Sequence, residues 1–227
     1  MYDERSSGRT LGILLLLQMA AALVLPFVLL RPVSVGSSAF PTAAIENAGQ
    51  IRTAVLISYF GAVLTIAIGV TIWPILRRTS ERLALALIAA CIISAALDAV
   101  HNASVMAMLS FANQNVRTEV SPELVGVVYA GRVSAHYAQL FAIGAWMFIF
   151  YVSMWRFRLI PRILAGLGLI AATLQFAGVT LSHFIGYPMQ GVLAMPLAPV
   201  HLTVGIWLII KGFPGVQSRD PTSEPKA

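Results

Sequence analysis

The chain has 227 residues, of which 58% are hydrophobic and only 11% charged, and its mean hydropathy is +0.83. A soluble domain of that length has too little interior to hide so much apolar surface, so the composition implies a membrane protein. The formal charge of +6 invites a nucleic-acid reading, but the basic residues sit at the ends of apolar segments rather than along a polar module, which removes nucleic acid as a partner.

A bilayer core about 30 Å thick takes roughly 20 apolar residues of helix. In chain order, residues 11–31, 53–76, 83–111, 125–155, 163–186 and 193–212 meet that requirement. A short polar N-terminus, residues 1–10, precedes the first span. The apolar core of that span is longer than the core of a secretory signal, and no small-residue cleavage site follows, so it reads as an anchor. Residues 32–52 form a loop containing Pro32, Gly36 and Pro41, and its part 42–50 has the composition of a short interfacial helix. The third span carries Ala95, Ala99 and Ala103 four residues apart, a small-residue stripe that predicts close approach of a neighbouring helix. The stretch 213–227, with Pro214, Pro221 and Pro225 among polar residues, reads as a flexible tail. No soluble domain, internal boundary or repeat is visible, and residues 1–227 read as one all-α, six-helix transmembrane domain.

Arg77, Arg78 and Arg82 lie between the second and third spans, and Arg156, Arg158 and Arg162 between the fourth and fifth. With Arg5, Arg9, Lys211, Arg219 and Lys226 near the ends, these make eleven of the fifteen basic residues on one side. Arg31, Arg52, Arg117 and Arg132 fall towards the other. The positive-inside rule then places both termini in the cytoplasm, an N-in/C-in topology with which an even number of spans agrees. Trp73, Trp155, Phe157 and Trp207 fall towards the cytoplasmic ends of their spans, as an interfacial belt would.

Ionisable groups in hydrocarbon need a partner or a task. Ser94, Asp98, His101 and Asn102 share one face of the third span, and Tyr129, Arg132 and His136 share one face of the fourth. At 1.5 Å per residue, His101, Arg132, His136 and His201 all fall about 10–16 Å below the outer ends of their spans, while His183 is nearer the surface. That shared depth points to an outer-half polar pocket. A bland alternative stands beside it: such residues often only hydrogen-bond a neighbouring helix, and Asp98 and Arg132 would neutralise each other.

Three chemistries suit these residue types. Neutral imidazoles with a carboxylate suit iron, copper or zinc, with Asp98, His101, His136, His201 and His183 as the candidate ligands. Two histidines at matching depth suit the axial positions of a haem. Without a metal, Asp98, His101 and His136 supply acid–base catalysis, while Arg132, Asn102 and Tyr129 bind an anionic substrate. No zinc-protease, redox-dithiol or phosphate-loop motif is present, and no lysine lies mid-span to carry retinal. The one cysteine, Cys91, excludes an internal disulfide and a thiolate zinc site. The methionines read as packing, although Met106, Met108, Met189 and Met195 keep a copper(I) alternative open.

Five stretches stand out: Pro41-Thr42-Ala43-Ala44-Ile45, the double-basic loop before Leu83-Ala84-Leu85-Ala86, Ala135-His136-Tyr137, Leu159-Ile160-Pro161-Arg162-Ile163-Leu164-Ala165-Gly166 and Trp207-Leu208-Ile209-Ile210-Lys211-Gly212. Together they resemble a bacterial family of six-helix membrane proteins catalogued as domain of unknown function 4386. The resemblance runs over about residues 8–213 and implies a multi-pass protein of the bacterial inner membrane. It implies no activity. His136 matches a histidine usual in the family, whereas Asp98, His101 and His201 depart from it. Three readings follow: an intramembrane enzyme or redox protein; a binding or transport protein for a lipid or small amphiphile; and an accessory subunit whose polar residues meet a partner chain or a second copy of itself.

Overall fold

The computed structural model describes residues 4–115 and 121–213. Arg117 and the tail beyond residue 213, expected to be flexible, lie outside the described residues. The described residues form eight α-helices: α1 (Glu4–Val24), α2 (Phe40–Glu46), α3 (Ala48–Thr79), α4 (Glu81–Asn115), α5 (Pro122–Arg156), α6 (Arg162–Thr180), α7 (Gln190–Ala194) and α8 (Leu197–Lys211). No strand occurs among the described residues. Among the described residues, six stretches are long and apolar enough to cross a membrane: Arg5–Leu29, Ala48–Thr79, Glu81–Gln114, Pro122–Arg156, Arg162–Ile185 and Gln190–Lys211.

The helix boundaries follow local chemistry. Ser80 alone joins α3 to α4; its backbone is extended, its Oγ accepts from the Leu83 N–H at 3.4 Å, and Glu81 stands in the first turn. Ser121 starts α5 in the same way, accepting from the Leu124 N–H at 3.4 Å, with Pro122 and Glu123 next. Two spans end loosely. Pro26 lacks an N–H, and α1 widens there into a π turn at Leu25–Leu29. A second π turn, Leu181–Ile185, closes α6 and stops at Gly186, whose φ is +87°.

Three expectations change in detail. The helix predicted in residues 42–50 forms earlier, at Phe40–Glu46, burying Phe40 and Ala44 against α4 while Thr42 and Glu46 stay exposed. The last span is not continuous, because a turn at 195–196 separates α7 from α8. The alanine stripe is not the tight seam either. Ala103 is exposed, and α4 buries Cys91, Ser94, Asp98, His101, Asn102 and Val105 instead. Close approach comes from glycine. A Cβ on Gly12 would lie 2.6 Å from the Gly205 carbonyl oxygen, so α1 and α8 touch backbone to backbone.

The spans pack in a closed ring, with α1 against α3, α3 against α4, α4 against α5, α5 against α6, α6 against α8 and α8 back against α1. Gly8 near the start of α1 abuts Gly212 and Phe213 after α8, so both described chain ends sit together. This is the basic end, where Arg158, Arg162 and Lys211 also lie. The core divides in two. One cluster joins Leu11, Ile72, Trp146, Phe150, Tyr151 and Leu208, and the other joins Val33, Phe40, Ile51, Val105, Met108 and Val125 at the far end. Large apolar side chains such as Phe27, Leu56, Val63, Ile92, Ile170 and Ile206 are exposed around the outside, as expected of a surface solvated by lipid tails.

Candidate functional site

Five buried polar residues, Ser58, Asp98, His101, Asn102 and Arg132, gather where α3, α4 and α5 meet, beneath the loop that follows α1. Asp98 of α4 is 8% exposed, and its carboxylate oxygens are heavily used. They accept from Ser58 Oγ of α3 at 3.1 Å to each oxygen, from Asn102 Nδ2 at 3.1 Å, and from Gln139 Nε2 of α5. One carboxylate therefore ties three helices together through neutral donors. Three of its roughly four acceptor sites are engaged in that task.

His101 and His136 face each other across the α4–α5 seam, with ring centroids 5.1 Å apart and planes tilted by 44°. His101 is 3% exposed, and neither of its ring nitrogens has a protein partner; nor does Nδ1 of His136. Asn102 gives its amide nitrogen to Asp98 but leaves Oδ1 unpaired. Arg132, 8% exposed, donates through Nη2 to Ser34 Oγ at 3.2 Å and leaves Nε unpaired. Ser34 in turn donates to the Leu30 carbonyl at 3.1 Å, so this loop supplies one wall. Tyr129, on the same face of α5 as Arg132, stacks its ring against Phe40 at 6.0 Å and 28°.

Two expected participants are elsewhere. His201 is fully buried in the other core cluster, where its Nδ1 pairs with Tyr151 Oη at 3.0 Å and the rings of Trp146, Phe150 and Tyr151 surround it. His183 is exposed and stacks on Tyr137 with centroids 4.3 Å apart. Nor do Asp98 and Arg132 neutralise each other; each has its own neutral partners. Among the described residues, no group of three or more His, Cys, Asp or Glu is placed to hold a metal ion. The four-ligand set of Asp98, His101, His136 and His201 is thus not assembled, because His201 keeps other company and Asp98 is engaged by Ser58, Asn102 and Gln139.

A haem does not fit the remaining histidine pair. Metal–nitrogen bonds of about 2.0 Å would set two axial imidazole centres about 6 Å apart, with a macrocycle between them. His101 and His136 are closer, on helices in direct contact. The methionines offered for copper(I) also separate, Met108 in the far core and Met195 out on the surface.

Sequence reasoning missed Ser34, Ser58 and Gln139. Gln139 carried a usable signal, since it lies on the Arg132–His136 face of α5 inside an apolar run. The two serines carried none, because isolated serines are common in membrane helices and loops.

Fold and site together define a polytopic, all-α membrane protein with a buried polar cluster at the end of the ring opposite the basic loops. The chain belongs to the family described as Domain of unknown function (DUF4386), whose model matches residues 10–212. No curated protein and no solved structure matches it.

Proposed function

We propose that the protein binds a small amphiphile bearing an acidic head group, held between α4 and α5 by Arg132, His101, His136 and Asn102. One observation carries this reading. Five buried polar atoms on facing sides of one seam lack protein partners: both ring nitrogens of His101, His136 Nδ1, Arg132 Nε and Asn102 Oδ1. Each such group buried unpaired costs about 1–3 kcal/mol, so a concentration of them marks a place built for something else to bind.

The complement of donors and acceptors sets the ligand class. A guanidinium N–H and an imidazole N–H suit an anionic oxygen, whereas Asn102 Oδ1 and the second imidazole nitrogen suit a hydroxyl or amide hydrogen. By the positive-inside rule the basic end is cytoplasmic, which puts this cluster beneath the outer leaflet of the bacterial inner membrane, where an amphiphile reaches it through lipid. Binding is favoured over acid–base catalysis because Asp98, the one carboxylate at hand, anchors α3 and α5 and does not orient either imidazole.

The test is mass spectrometry of small molecules retained by protein purified in mild detergent, with element analysis on the same samples. A single acidic amphiphile at near-stoichiometric amount in the wild type, lost from Arg132→Gln, is the expected result. The same retained molecules in wild type and Arg132→Gln would overturn the proposal. So would a stoichiometric metal that disappears with His101→Leu, which would favour an enzyme or redox protein.

A further inference from the structure

At the opposite end of the ring, a groove of about 490 Å³ is lined by Arg158, Ile160, Pro161, Arg162, Trp207 and Lys211. Its size lies within the range of about 300–1,000 Å³ typical of small-ligand sites. Three cations from separate elements border it: Arg158 from the turn after α5, Arg162 from the first turn of α6, and Lys211 from the last turn of α8. All three are exposed, and none has a side-chain partner among the described residues. The N-terminal amides of α6 begin at the same place and add to the positive field.

The turn that carries Arg158 is built oddly for an ordinary loop. Arg158 has φ +54°, in the left-handed region where glycine is the usual choice. The reversal brings the Leu159 N–H to the Met154 carbonyl at 3.1 Å and buries Leu159 and Ile160 in the core. The turn is therefore fixed in place, and the arginine is kept where backbone geometry alone would favour glycine.

From this convergence of unpaired cations over an apolar floor, we infer that the groove binds the phosphate of an anionic phospholipid of the adjoining leaflet. The lipid is favoured as the source of the phosphate by what flanks the groove. Trp207 lines it about one helical turn before Lys211, and Ile163 and Ile210, the next residues inward on α6 and α8, are 77% and 63% exposed. Acyl chains thus find an uncovered apolar surface directly below the cationic rim. Basic pockets between membrane helices recognise lipid head groups by this combination. The inference is independent of the amphiphile reading, since it uses other residues at the other end of the molecule.

The experiment is native mass spectrometry of full-length protein exchanged into mixed phosphatidylcholine and phosphatidylglycerol, counting retained phosphatidylglycerol. The wild type should hold at least one such lipid selectively. Arg162→Gln/Lys211→Gln should reduce its retention about tenfold or more, while Arg77→Gln/Arg82→Gln, which removes the same charge from the other basic loop, should change it less than about twofold. Arg158→Gly should also lose lipid, although glycine accepts the turn without strain, so misfolding does not explain its loss. Equal losses from both double variants would overturn the inference, since general surface charge would then account for binding. Displacement of the lipid by inorganic phosphate at millimolar concentration would overturn it too, assigning the groove to a soluble phosphate.

Discussion

His201 and the His101–His136 pair are the same residue type in the same hydrocarbon, yet they live differently. His201 is enclosed by Trp146, Phe150 and Tyr151, and a phenolic hydroxyl satisfies its Nδ1. His101 is as deeply buried but has neighbours that give it nothing to bond: another imidazole, and an Asn102 whose donor is turned to Asp98. Burial of a histidine therefore says little about function. What separates the two places is degree. His201 has Nδ1 paired and leaves its Nε2 and the neighbouring Trp146 Nε1 open, whereas the far cluster leaves five atoms open across one seam, with neither nitrogen of His101 paired.

That contrast can be broken or sharpened by substitution, and the largest effect should fall on the residue that holds the far cluster together. Asp98→Ala strands the Ser58, Asn102 and Gln139 donors at once and should destabilise the protein by about 3–5 kcal/mol, seen as a large drop in the melting temperature of detergent-solubilised protein. Next comes the tightness of the aromatic core around His201. A Cβ on Gly168 would lie 2.2 Å from the Tyr151 ring, so Gly168→Ala must push that ring off its histidine. A loss of about 1–3 kcal/mol in the same thermal assay is expected. Tyr151→Phe removes only the bond to His201 Nδ1 and should lower stability by about 1–2 kcal/mol; an unchanged melting temperature would mean that His201 is no better satisfied than His101.

The smallest effect is the most telling. His101→Leu deletes two unpaired nitrogens and no protein hydrogen bond, so stability without ligand should be unchanged or rise by up to about 1 kcal/mol. Its retained amphiphile should nevertheless disappear. A drop in stability as large as that of Tyr151→Phe would show that His101 has structural partners and that the contrast is false.

The architecture was legible in the linear pattern because hydrocarbon thickness and backbone hydrogen bonding leave few options. Apolar runs of sufficient length had to become helices, and the six spans fall within a few residues of where composition puts them. The helical repeat also put Ser94, Asp98, His101 and Asn102 on one face, and all four are buried. Beyond single helices the reading weakened. Equal depth along separate spans suggested that His201 joins His101 and His136, and opposite charge suggested that Asp98 joins Arg132.

Depth and charge fix neither partner. A residue's neighbours across a helix seam depend on how each helix is rotated about its axis and on which helices adjoin it, and both are settled by packing along the whole length. Here the Gly12–Gly205 approach draws α8 to α1 and closes the ring, and α8 sets His201 against Tyr151 on α5, in the core cluster that also takes in Trp146 and Phe150. The sequence alone determined the spans, their polar faces and the basic loops, because these follow from periodicity and solvent. The tertiary structure decided which polar groups find partners and which are left waiting, because hydrogen bonds of about 3 Å are far more exacting than the burial of a face.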